Sequence, residues 1–157
     1  MSDVTQEQVA WMPSGESNPI SAVYAHVIIG ADLALNTWIG ARPPLLATAW
    51  GGRVGLSELM PATDWHSWAM RVQMDLTKFR KYAADVYGAW GEYLASLTSD
   101  DLSRCIDLEM IGMGKRTLAE CLAIQVEHFS GHCGEIACLK GLQGATGYRP
   151  GTARGKG

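Results

Sequence analysis

Two histidines, His128 and His132, stand four residues apart in the stretch Leu118–Leu142. If this stretch is helical, the two side chains lie one turn apart on one face, with Cβ atoms about 5–6 Å apart. Both imidazoles can then bind one metal ion. Thr117 and Glu120 form a predicted capping box at the start of the helix. The spacing therefore indicates a metal site on the last long helix of the chain.

An HxxxH pair by itself is a weak signal, and neighbouring residues exclude two familiar sites. Metalloprotease helices carry Glu directly after the first histidine, and this chain has Phe129 there. Di-iron bundles use Glu-x-x-His motifs, and neither Glu127 nor Glu135 has a histidine three residues later. A third ligand must come from His26 or His66. We expect His66, at the start of a predicted helix, to be an exposed residue and not a ligand.

Apolar residues recur every three or four positions through most of the chain, which predicts helices. Asn18 with Pro19 predicts a helix start, because proline is favoured at the first helical position. The expected elements are a short helix within 3–12, a helix from 19 to about 38, a long helix over 64–97, a turn at 99–102, a hairpin or extended crossover at 107–115, and the histidine helix.

Residues 40–63 have no helical period, because Pro43-Pro44 and Gly51-Gly52 interrupt them. A loop of this length in a compact domain is usually functional or disordered. It contains Trp50 and other apolar residues, so we interpret it as a lid over one end of the domain. An ordinary packed connection is the alternative.

Composition excludes several classes of function. The net charge of −3 offers no basic surface for nucleic acid. No uninterrupted apolar run approaches about 18 residues, so no membrane span is expected, and the polar N-terminus does not resemble a signal peptide. The four cysteines form no CxxC motif, and we expect reduced, buried thiols in a cytoplasmic protein.

Two sequence segments carry a family resemblance. The first is NPISAVYAHV, which contains His26, and the second is EHFSGHCGEIACLKGLQG, which contains the HxxxH pair. Together with the loop and long helix between them, they resemble the DinB/YfiT-like family of metal-binding four-helix bundles over about residues 4–148. One departure is clear: family members usually begin with a long helix that this chain starts too late to contain.

The resemblance implies a mononuclear site for a divalent ion (zinc, nickel or iron) held by His26, His128 and His132. Glu135, Asp32 and Gln125 are expected to support these ligands or to act beside them. Trp50 and Arg53 are expected on the substrate loop.

The expected fold is all-α, an up-and-down four-helix bundle with a shortened first helix, spanning residues 1–142, followed by a flexible glycine-rich tail over 143–157. The resemblance implies a metal-dependent enzyme that joins a low-molecular-weight thiol to an electrophile or isomerises a substrate through a thiol adduct. A non-catalytic, stress-related metal-binding module is the alternative. Because a missing helix would leave apolar faces uncovered, we also expect a homodimer.

Overall fold

The computed structural model describes residues 1–147, and the predicted tail beyond residue 147 lies outside them. The described chain is mostly helical, with one small two-stranded sheet. Its regular elements are α1 (Gln6–Ala10), α2 (Ile20–Asp32) continued by a π-helical segment (Leu33–Ile39), a 3₁₀ turn (Leu45–Ala47), α3 (Trp65–Ala69), α4 (Leu76–Ser96), a 3₁₀ turn (Asp100–Ser103), β1 (Cys105–Asp107), a 3₁₀ turn (Glu109–Ile111), β2 (Lys115–Thr117) and α5 (Leu118–Leu142).

Helix α2 is the centre of the core and contacts α1, α3, α4 and α5. Its sequence is apolar almost all round, as expected for a helix that is covered on every side, and only His26 and Gly30 along it are not fully buried. The predicted cap by Asn18 is wrong. Pro19 occupies the cap position without a side-chain hydrogen bond, because the amide oxygen of Asn18 points into the protein and has no partner within residues 1–147.

The π-helical segment begins where the buried carboxylate of Asp32 collects its hydrogen bonds. Asn36 Nδ2 donates to Asp32 Oδ1 at 2.6 Å, and Tyr82 Oη on α4 donates to Oδ2 at 2.8 Å. The backbone N–H groups of Leu45 and Leu46 donate to the two oxygens at 2.9 and 2.8 Å. One buried carboxylate therefore joins the π-helical segment, the following loop and α4.

The predicted single helix over 64–97 is two helices, α3 and α4. Between them the chain runs extended, where Leu56 and Met74 form a β-bridge and Asp75 N donates to Gly55 O at 2.7 Å. Asp75 then caps α4 by accepting from Lys78 N. The helical spacing of apolar residues continues across the break, because Val72 between the two helices is buried like its helical neighbours. The spacing alone therefore did not reveal the break.

The apolar stripe that the sequence predicts for the long helix is confirmed within α4, where Leu76, Phe79, Ala83, Val86 and Trp90 are buried. Tyr82 is buried as well. The capping box at the start of α5 is also confirmed, with Glu120 N donating to Thr117 Oγ1 and Thr117 N to Glu120 Oε2. The segment before α5 was predicted as a hairpin or an extended crossover, and it is a hairpin in which β1 and β2 pair in antiparallel register.

The 40–63 segment packs against α4. Trp50 Nε1 donates to Asp85 Oδ2 at 2.9 Å, and its ring lies edge-on to Tyr82 with centroids 5.9 Å apart. These contacts show a packed segment anchored at both Asp32 and Asp85, which agrees with an ordered connection.

Of two expectations from composition, the one on buried cysteines is wrong and the one on apolar runs needs a refinement. The combined helix Ile20–Ile39 is long and apolar enough to cross a membrane, but 78% of its most apolar window is buried inside the chain, as in the core helix of a globular domain. Of the four cysteines only Cys121 is buried. Cys133 and Cys138 are exposed because they lie on the outer side of α5, and Cys105 is exposed on β1. Burial raises the pKa of the Cys121 thiol.

The two ends of the described chain are in contact with each other. Val4 and Val9 are buried in the core, and Lys140 Nζ at the end of α5 contacts Asp3 Oδ2 at 2.7 Å. Residues 143–147, predicted to belong to the flexible tail, turn back along α5, with Ala145 N donating to Lys140 O. The predicted homodimer stays a prediction.

We predict that Tyr82→Phe lowers the free energy of unfolding by about 1.5–3 kcal/mol, the usual contribution of a hydrogen bond to a charged group. Urea denaturation measures the change. Tyr93→Phe is the matched control, because Tyr93 Oη accepts from Arg104 at the surface, and its loss should cost less than about 0.5 kcal/mol. Equal effects of the two substitutions would contradict a special role for the Asp32 hydrogen bonds.

Candidate metal centre

Three of the four histidines meet between α2 and α5. His26 comes from the middle of α2, and His128 and His132 from successive turns of α5. Their ring centroids lie 4.7 to 4.9 Å apart, and His26 Nε2 is 3.0 Å from His128 Nε2. Candidate ligand atoms of all three residues lie within 4.8 Å of one another. The structure thus brings together the three residues that the resemblance implied as ligands.

Glu135 orients the third histidine. Its Oε2 lies 2.8 Å from His132 Nδ1, which places the proton of the neutral imidazole on Nδ1 and leaves Nε2 as the electron-pair donor. Histidines that bind metals usually donate their other N–H to such a partner, which fixes the tautomer and raises the basicity of the ligand. The predicted supporting position of Glu135 therefore agrees with its contact.

Burial and neighbouring charges keep His26 and His128 neutral. Burial, and then the positive charges that His128 and His132 would carry, lower the pKa of His26 to about 4. Burial, and then His132, also lowers the pKa of His128. Neutral imidazoles are the form that binds a metal, so the site is prepared for an ion at neutral pH.

The donor set fits a divalent transition metal. Nitrogens bound to tetrahedral zinc at about 2.0–2.1 Å stand roughly 3.4 Å apart, close to the observed spacing of His26 Nε2 and His128 Nε2. Three imidazoles with a free position suit catalytic zinc, and imidazole also suits nickel and iron. The side chains of His132 and Glu135 are 27% and 36% exposed, so one side of the cluster is open to solvent.

The other predicted site residues lie in three different places. Gln125 stands one turn before His128 and lines a cavity next to the histidines. Asp32 was expected to support a histidine, but within residues 1–147 its carboxylate bonds Asn36, Tyr82 and the backbone of the loop. The six-residue spacing from His26 turns the helix by about 600°, which leaves the two side chains about 120° apart around the axis of α2.

The predicted substrate-loop residues Trp50 and Arg53 do not line that cavity. Trp50 is held by α4, and Arg53 lines a shallow surface depression with Lys78 and Gln73. Met60, from the same segment, contributes to the cavity instead. His66 also lies apart from the cluster and contacts the exposed Glu16 carboxylate at 3.2 Å, as expected for a residue that is not a ligand.

Sequence reasoning missed the cavity itself. Its volume is about 270 Å³, and its walls are the π-helical segment, the β1–β2 hairpin, Met60 and α5. The hairpin sequence LEMIGM could have indicated this cavity. Several apolar residues in so short a segment suggest that the segment covers an apolar surface.

Comparison with known proteins agrees with this architecture. The family model described as the DinB superfamily matches residues 1–136, most of the described chain. The chain belongs to the DinB superfamily. A search of curated proteins finds no significant match to this DinB-superfamily chain.

Among solved structures, this DinB-superfamily protein is similar to a conserved protein from Enterococcus faecalis, with a TM-score of 0.73 and 19% sequence identity. The similarity covers 90% of this chain and 84% of that chain. At this identity the likeness supports the helical fold and carries no information about substrate.

We predict that the protein binds one divalent ion and that His128→Ala abolishes stoichiometric binding, because two remaining imidazoles leave an incomplete ligand set. Elemental analysis after metal loading and desalting measures the change. His66→Ala is the matched control and should retain the full metal content. Retention of metal by His128→Ala, or its loss from His66→Ala with the fold intact, would contradict the assignment.

The metal-free protein should lose stability as the pH falls from about 6.5 toward 4. In this window unfolded His26 takes up a proton while folded His26, with its pKa lowered to about 4, stays neutral. Urea midpoints at pH 6.5 and 4.5 test this, with His26→Gln as the comparison. The decrease should be smaller in His26→Gln, and an equal decrease in both proteins would contradict the lowered pKa of His26.

Proposed function

We propose that this DinB-superfamily protein is a metal-dependent enzyme that uses a low-molecular-weight thiol, as a thiol S-transferase or a thiol-dependent isomerase. The observation that carries the proposal is the three-histidine cluster with one side open to solvent. A ligand set of this kind leaves a coordination position free, which is typical of catalytic metal sites and not of closed structural ones. The participation of a thiol rests on the family resemblance.

A bound divalent ion would supply Lewis acidity, which lowers the pKa of a thiol toward neutrality. His26, His128 and His132 would hold the ion, and Glu135 would keep His132 in the ligating tautomer. In the transfer reaction the thiolate sulfur attacks an electrophilic carbon. A C–S bond forms, and the leaving group departs with its bonding electrons. In the isomerase variant the thiolate adds to an activated carbon–carbon double bond and no group leaves. After rotation about the resulting single bond, the C–S bond breaks, the double bond re-forms and the thiolate is released.

Glu135 is also suited to the proton of the incoming thiol. Its carboxylate is partly exposed on the open side of the cluster, and its hydrogen bond to His132 fixes its position. A carboxylate within reach of the reacting group can accept a proton and release it to solvent. We therefore assign to Glu135 the removal of the thiol proton in addition to the orientation of His132.

The helical arrangement is proposed to be an up-and-down bundle in which α1 occupies the place of a shortened first helix, and copies of the chain are proposed to pair. The exposed apolar side chains Tyr87 and Val126, 49% and 70% exposed on α4 and α5, are the surface available for such pairing. Sedimentation of the intact chain as a compact monomer would refute the pairing.

The second candidate is a non-catalytic metal-binding module. It is favoured by the largely apolar walls of the cavity beside His26 and His128, where Gln125 provides the polar contribution from α5. The solvent-exposed edges of His132 and Glu135 favour the enzyme instead.

We predict metal-dependent consumption of a small thiol in the presence of an electrophile. Thiol loss is followed with the zinc-, nickel- and iron-loaded protein, over a panel of cellular thiols and electrophiles. The rate should fall to background after chelation and in His128→Ala, but not in His66→Ala. If no combination exceeds the metal-free protein, the proposed activity is wrong and the binding module is the better description.

A further inference from the structure

An apolar cavity of about 270 Å³ opens directly beside the histidine cluster. His26 and His128 form part of its wall, so a molecule inside it lies against two of the three candidate ligands. Ala34 and Trp38 of the π-helical segment form one side, and Ile111 of the hairpin forms another. The cavity is therefore continuous with the site to which the proposed function assigns the chemistry.

The chemistry of the walls selects against a hydrophilic occupant. Apart from the two histidines, the side chains that line the cavity are almost all apolar, and Gln125 is the main exception. The side-chain oxygen of Gln125 is buried and accepts no hydrogen bond within residues 1–147. A buried acceptor without a partner costs about 1–3 kcal/mol, and a ligand that carries one donor would satisfy it. Polar thiols, with several charged or hydrogen-bonding groups, would lose their hydration here without compensation.

The volume also limits the occupant. A cavity of about 150 Å³ with apolar walls holds a benzene molecule. The observed space accommodates a single aromatic ring with a short substituent, or an alkyl chain of similar volume. It is smaller than the pockets of about 300–1,000 Å³ that bury drug-sized ligands.

We propose that the cavity binds the electrophilic substrate, and that this substrate carries a monocyclic aryl or short alkyl group with one hydrogen-bond donor for Gln125. The polar thiol would then approach from the opposite, solvent-exposed side of the cluster, past His132 and Glu135. That the bound molecule is an electrophile rests on the proposed function, whereas the binding of an aryl group in the cavity is independent of catalysis.

The test uses an unreactive probe, 4-fluorobenzyl alcohol, which has the required ring and a single hydroxyl donor. Its binding is measured by ¹⁹F NMR titration of the intact protein, both metal-free and zinc-loaded. The probe should bind both forms. Ala34→Phe should weaken binding at least about tenfold, because the added ring takes up the space that the probe needs. Ala123→Phe, which adds the same ring at an exposed position of α5, should bind as the unmodified protein does.

A second pair of variants avoids the buried position. Ile111 lines the cavity and is 36% exposed, whereas its neighbour Met110 is 76% exposed and does not line it. Ile111→Asp places a charge at the apolar wall and should weaken probe binding at least about fivefold. Met110→Asp should leave it unchanged. Both variants have the same charge on the same turn, so a difference between them reports on the cavity.

The outcomes separate this inference from the proposed function. Probe binding that Ala34→Phe and Ile111→Asp both abolish supports the cavity assignment, whether or not thiol consumption is observed. Absence of probe binding, or equal binding to Ile111→Asp and Met110→Asp, overturns it even if the metal-loaded protein consumes thiol. Thiol consumption with a given electrophile that is insensitive to Ile111→Asp would also overturn the assignment of the cavity to that electrophile.

Discussion

The buried carboxylate of Asp32 is the constraint on which the arrangement around the site depends. A carboxylate removed from water is stable only if donors replace its hydration. Here the donors are Asn36, Tyr82 and two backbone N–H groups of the loop at Leu45 and Leu46. They come from three parts of the chain, so folding must bring all three together. The π-helical segment that results presents Ala34 and Trp38 to the cavity. Asp32 therefore shapes the site without touching the histidines.

The two helices that carry the histidines have different surroundings. Helix α2 is enclosed by the core, which holds His26 in a fixed position and disfavours its charge. Helix α5 is packed mainly on one side, and its histidine face is half-buried. The cluster consequently has an apolar side, toward the cavity, and an aqueous side, toward Glu135. A site with these two sides is suited to bringing together one apolar and one polar reactant.

Membership of the DinB superfamily and the geometry of the cluster address different questions. The family match covers residues 1–136 and includes all three histidines of the cluster. The structure adds three features that family membership does not specify: a His26 and a His128 that are neutral at pH 7, a His132 oriented by Glu135, and a cavity of about 270 Å³ beside them. The apolar walls of the cavity therefore support the proposed class of substrate, whereas the thiol is proposed from the family resemblance.

The sequence by itself determined the features that depend on residues close along the chain. The HxxxH pair, the capping box at Thr117 and the apolar stripe of α4 follow from helical spacing, and His26 was identified from a family motif around it. Tertiary structure alone decided the break between α3 and α4, because a β-bridge to Leu56 competes there with helical hydrogen bonds. It also decided the roles of Asp32 and Trp50, whose partners Tyr82 and Asp85 lie 50 and 35 residues away. The cavity also depends on tertiary structure alone, since its walls come from four segments that are separated along the chain. No local sequence pattern predicts that these segments come together.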